Sequence, residues 1–87
     1  MADELSAEER EFLCMAFEQA RDSHEHQVDE APLLNRFGDG DFLELRDRLE
    51  RRGGIGRGGA PRGSVTGNFW LTEYGMNEAK RLCSNTD

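Results

Sequence analysis

The chain has 87 residues, of which 36% are hydrophobic and 33% charged, and its formal net charge is −7. A chain this short reads as one domain, residues 1–87, that buries only about 60–65% of the surface its unfolded form exposes. Its core is therefore thin, a deep substrate chamber has no room, and enzymatic activity is disfavoured from the outset. No apolar run approaches the ~18 residues that a membrane span needs, and the opening Met1-Ala2-Asp3-Glu4 is acidic where a secretion signal would be basic. A cytoplasmic protein is expected. Cys14 and Cys83 lie far apart, each within helical pattern, so they are expected to be small buried hydrophobes in a reducing compartment rather than a disulfide.

The charge is uneven. Residues 1–32 hold ten acids against Arg10 and Arg21, whereas residues 33–87 hold eight acids against nine bases. Such a field repels a phosphate backbone at long range, while a local basic patch still docks on one. The single lysine beside ten arginines reads as genome composition or a salt-adapted host.

Residues 1–5 read as a flexible end. Ser6-Ala7-Glu8-Glu9 has the form of a capping box, which predicts a helix starting at Ser6. Phe12, Leu13, Ala16, Phe17 and Ala20 recur at three- and four-residue spacing and form its buried stripe. Asp22 to Glu30 is polar and predicts a connecting segment. Pro32 then marks a short second helix, Ala31 to Phe37, burying Leu33, Leu34 and Phe37 and stopped by Gly38. A tight Gly38-Asp39-Gly40 turn follows, and Asp39 or Asp41 caps a third helix with Phe42, Leu45 and Leu49 on one face, ending at Gly53-Gly54. Residues 53–67, with seven glycines and Pro61, predict a flexible hairpin tip. Asn68 to Leu71 predicts a strand with Phe69 and Leu71 on one face and Trp70 on the other. Thr72 caps a last helix, Glu73 to about Cys83, with Met76, Ala79 and Leu82 or Cys83 inward. Residues 84–87 read as a second flexible end.

Two stretches carry a resemblance. Leu45-Arg46-Asp47-Arg48-Leu49-Glu50-Arg51-Arg52-Gly53-Gly54-Ile55 looks like the end of a recognition helix running into a wing, and Trp70-Leu71-Thr72-Glu73-Tyr74-Gly75-Met76-Asn77-Glu78-Ala79 resembles the segment after the wing. In wording and in element order the chain resembles bacterial and archaeal winged helix-turn-helix transcription regulators over about two-thirds of its length. The resemblance implies a mainly α fold with a small β-hairpin (α+β), in the order α-α-α-β-β-α, with residues 53–67 as the wing. It also implies sequence-specific DNA binding, with the exposed N-terminal part of the third helix in the major groove.

Aligned on Leu49 and Gly53, the groove-facing positions are Gly40, Asp41, Leu43, Glu44 and Asp47. Three carboxylates thus stand where base readers and phosphate binders carry donors. The basic residues lie elsewhere, with Arg48, Arg51 and Arg52 near the helix end and Arg57 and Arg62 in the wing. The three helix arginines are expected to pair with Glu44, Asp47 and Glu50 at helical spacing, while wing arginines can follow phosphates or a minor groove.

Other motifs carry less. Gly54-Ile55-Gly56-Arg57-Gly58-Gly59 satisfies GxGxxG in form but follows a helix and enters a hairpin, the wrong context for a dinucleotide. Arg57-Gly58-Gly59 is one isolated RGG triplet. His24-Glu25-His26 lacks a second ligand pair for a metal, and no nucleophile has a signalled base and orienting acid. No metal, cofactor or catalytic residue is therefore assigned. Trp70, on the outer face of its strand, is either a binding hot spot or laid across its own wing or against the last helix.

The favoured reading is a non-enzymatic regulatory module, an adaptor or inhibitor. It docks on a basic protein partner through an acidic third-helix face of Asp41, Leu43, Glu44 and Asp47, joined by Trp70, within a nucleic-acid-handling assembly. The alternative is a DNA-binding transcriptional regulator that uses Arg48, Arg51, Arg52, Arg57 and Arg62. The last helix is short for a dimer arm, which favours a monomer.

Overall fold

The computed structural model describes residues 5–57 and 68–83. Helix α1 spans Ala7–Ala20, and the capping box at its start is formed as the sequence predicts: Ser6 Oγ accepts from the Glu9 amide and Glu9 Oε1 accepts from the Ser6 amide. The predicted stripe of Phe12, Leu13, Ala16, Phe17 and Ala20 is buried. The chain then turns through residues 21–26, where His26 takes a positive φ of 58°.

The segment expected to be a plain connection holds a strand, β1, Gln27–Asp29. Gln19 fixes it to α1, its side-chain amide donating to the Asp29 carbonyl (3.0 Å) and accepting from the Asp29 N–H (2.9 Å). That one side chain supplies the donor and acceptor a neighbouring strand would otherwise offer. Three residues with one apolar member carry no readable alternation, so periodicity could not have found β1.

Helix α2 spans Ala31–Phe37 and α3 spans Asp39–Arg51. Only Gly38 separates them, so the expected Gly38-Asp39-Gly40 turn is a one-residue joint and Asp39 is already helical. Neither Asp39 nor Asp41 caps α3; Gly38 occupies that position, without a side-chain cap. Its φ of 87° and ψ of 159° fall in a region essentially restricted to glycine. At the other end α3 closes in a Schellman motif, in which the Gly53 amide donates to the Glu50 carbonyl and the Gly54 amide to the Leu49 carbonyl. Gly53, with φ of 89°, supplies the left-handed residue.

Strands β2, Ile55–Gly56, and β3, Asn68–Leu71, complete a three-stranded antiparallel sheet in the order β1-β3-β2. Val28 pairs with Phe69 and Ile55 with Leu71 on the buried face, while Trp70 lies between Gln27 and Gly56 on the other. Helix α4 spans Glu73–Cys83. Thr72 caps it, as expected, Oγ1 accepting from the Gly75 amide while donating to the Gly53 carbonyl. The observed order, α-β-α-α-β-β-α, corrects the expected α-α-α-β-β-α by the insertion of β1; the coarser class, helices with a small antiparallel sheet, stands. No helix of the described residues is long and apolar enough to cross a membrane.

Two features of the interior contradict or escape the sequence reading. Cys14 and Cys83 form a disulfide, with their Cα atoms 5.8 Å apart. Packing of α4 along α1 closes a sequence separation of 69 residues that gave no hint of pairing. The second is an ion pair inside the core, where Arg46 Nη1 donates to Glu30 Oε2 at 2.7 Å with side-chain exposures of 2% and 1%. The Arg46 guanidinium also lies 5.3 Å from the centroid of Phe42. Each charge is tolerable there because it is paired.

Two stability outcomes follow from this packing. Arg46→Met or Glu30→Leu alone is expected to cost about 3–5 kcal/mol by stranding the opposite charge, whereas the double variant recovers most of that loss; urea unfolding of the four proteins measures both. Gly75 lies so close to the Gly54 carbonyl that an added Cβ would collide with backbone. Gly75→Ala is thus expected to lose a net of about 1–2 kcal/mol despite its better helix propensity, and a Tm at or above wild type would contradict this contact.

Candidate functional site

The outer face of α3 follows from its inner one. Phe42, Leu45, Arg46 and Leu49 point to the core, so at about 100° per residue Gly40, Glu44, Asp47, Arg48 and Arg51 point away from it. Gly40, Asp41, Glu44, Arg48 and Arg51 are exposed, and Leu43 and Asp47 are half-buried at its margins. Of the residues singled out from sequence, Asp41, Leu43, Glu44, Asp47, Arg48 and Arg51 lie on or beside this surface, and Asp39, read there as a capping candidate, joins them at its leading end.

The charges on this surface divide into two zones. Toward the helix end, Arg48 donates to Glu44 at 2.7 Å and Arg51 meets Asp47 at 2.9 Å, both at the i,i+4 spacing. Arg48 also lies 3.7 Å from Glu9, whose carboxylate already serves the α1 capping box. At the leading end Asp39 and Asp41 are exposed and form no hydrogen bond or ion pair among the described residues. The N-terminal end of the helix dipole favours carboxylates at this place.

Glu50 departs from the expected pattern. Its partner is Arg57, beyond the helix, through Nε at 3.1 Å, and the Arg57 side chain is only 6% exposed. Arg57 is thus folded back against α3 instead of extending along a wing. Arg62, the other expected wing arginine, lies outside the described residues.

Trp70 is 36% exposed. Its indole lies directly over the Cα of Gly56, its cross-strand partner, where a Cβ would collide with Nε1 and Cε2. Of the two placements open from sequence, the indole takes the one across its own hairpin, with part of its surface left exposed.

Sequence reasoning passed over Tyr74, the most exposed large aromatic at 49%. Tyr74 lies off the inward stripe of Met76 and Ala79, a signal that was present in the helical spacing. With Arg52, Glu78 and Arg81 it lines an open depression of about 360 Å³ between the end of α3 and α4, where Arg81 and Glu78 pair at 2.6 Å. The apolar slot beneath, lined in part by Leu5, Leu13 and Leu49, measures about 20 Å³, the size of a single water. Among the described residues no group of three or more His, Cys, Asp or Glu could hold a metal ion.

Comparison with known protein families, with characterised proteins and with solved structures finds no match for this chain.

The chain has one tryptophan, so its fluorescence reports on the hairpin alone. Gly56→Ala is expected to push the indole off the sheet into water and red-shift the emission, with little change in Tm because an exposed side chain can swing aside. An unshifted spectrum would place the indole elsewhere.

Proposed function

We propose that this protein is a non-enzymatic binding module of the winged-helix kind that engages a basic protein surface through the leading end of α3. The fold reading is supported by two helices joined at one residue, followed by an antiparallel hairpin whose returning strand also pairs with a strand between the first two helices. The observation that carries the ligand reading is the charge distribution. Among the described residues the Asp39 and Asp41 side chains stand exposed with no cation paired to them, whereas Arg48, Arg51 and Arg57 are each engaged by a carboxylate.

An exposed carboxylate pair outside any ion pair presents its field to an incoming cation, and complementary charge raises the rate and selectivity of encounter. Glu44 and Asp47 extend the acidic strip, but their arginines must turn away before they can contribute to binding. Leu43, half-buried at the edge of this surface, offers apolar contact beside the charges. A protein that handles nucleic acid presents such a basic surface, and occupying it with carboxylates would compete with phosphate.

DNA binding is the competing reading. It requires Arg48 and Arg51 to exchange carboxylates for phosphates alongside Asp39 and Asp41, and Arg57 to leave its pocket against Glu50. One pair of measurements separates the two. A salt titration against random duplex DNA is expected to show no binding even at low salt; affinity falling steeply with salt would favour the DNA reading. In the second, tagged chain captures a partner from a lysate of its native host, and amide exchange maps the contact. Protection of residues 39–47 is expected, as is loss of capture in the Asp39→Asn, Asp41→Asn double variant. Undiminished capture by that variant would remove this end of α3 from the interface.

A further inference from the structure

We infer that the Cys14–Cys83 disulfide is a redox latch on α4: its reduction frees the C-terminal half of that helix while the rest of the fold persists. The two halves of α4 are held by different means. Its N-terminal half is fixed by backbone and cap, with Thr72 Oγ1 donating to the Gly53 carbonyl, the Thr72 amide donating to the Gly54 carbonyl, and Gly75 pressed on the Gly54 backbone. Beyond Met76 only Ala79 is fully buried, and Leu82 and Cys83 are half-covered. The covalent bond to Cys14, in the middle of α1, therefore fastens a half-helix that buries little apolar surface of its own.

That half-helix supplies little of the buried core. Phe12 meets both Phe42 and Phe69, joining α1 to α3 and β3, and of the fully buried apolar residues in the core cluster only Ala79 comes from α4. A small-molecule or protein dithiol can also reach the bond, because Cys14 and Cys83 are both half-buried and neither is sealed inside. The exchange is balanced. One thiolate of the reductant attacks a sulfur of the pair, the second displaces it from the mixed disulfide, and the reductant leaves oxidised by two electrons. Cys14 and Cys83 each take up one proton as thiols. Leu82 and the α1 surface around Cys14 then gain access to solvent.

The full chain with dithiothreitol as the reductant tests this. Three measurements are made with and without it: alkylation followed by mass analysis, Tm, and amide hydrogen exchange at a temperature well below the lower Tm. Without reductant no thiol is expected to be alkylated, and with it two are. Exchange in residues 77–83 is expected to accelerate at least about tenfold more than in residues 12–20 and 42–49. The Cys14→Ser, Cys83→Ser double variant should show the reduced pattern and ignore dithiothreitol. Three results would overturn the latch: alkylation of both thiols without reductant, unchanged protection of residues 77–83 on reduction, or equal loss of protection in α4 and the core. The last would make the bond a staple of the whole fold.

Discussion

Phe12 is the contact on which the other elements converge. Its ring lies 5.7 Å from Phe37, 5.6 Å from Phe42 and 5.9 Å from Phe69, so one α1 side chain meets α2, α3 and the central strand of the sheet. Offset and tilted aromatic pairs at these distances contribute beyond the area they bury, about 0.5–1.5 kcal/mol each. In a chain with so thin a core, this cluster sets the positions of α2 and α3 against α1 and thereby decides which side of α3 faces water. The exposed strip of Asp39, Asp41 and Glu44 is a consequence of where Phe42 and Leu45 must point.

Around that cluster, charge is used in two contrasting ways. Inside, Arg46 and Glu30 are matched and sealed, which ties the entry of α2 to the middle of α3 without presenting a charge to the surroundings. Outside, the arginines of α3 and of the segment after it are drawn onto nearby carboxylates, Arg48 to Glu44, Arg51 to Asp47 and Arg57 to Glu50. The two exposed pairs, Arg48 with Glu44 and Arg51 with Asp47, add little stability. Their effect is on the field, because they cancel the basic residues locally and leave the two leading aspartates to set the sign of that edge.

What was legible in the sequence follows the length of each signal. The capping box at Ser6, the α1 stripe, the Gly53 stop and the Thr72 cap are all local, set by residues of a single helix or its ends, and each formed as read. The same holds for the i,i+4 pairs on α3. Contacts between distant residues left no such trace. The bond between Cys14 and Cys83, the burial of Glu30 within a polar stretch and the reach of Arg57 back to Glu50 all depend on how the helices pack. Strand β1 was lost for a different reason, since three residues are too few to show a period.

The single-residue joint at Gly38 has a consequence for how this surface can vary. Because α2 passes straight into α3, there is no slack in which a length change could be absorbed. One residue more or fewer before Asp39 would alter the direction in which α3 leaves the joint and so displace Phe42 from its contact with Phe12. Substitution on α3 would thus change the chemistry of the exposed edge, whereas a change of length at Gly38 would change its heading.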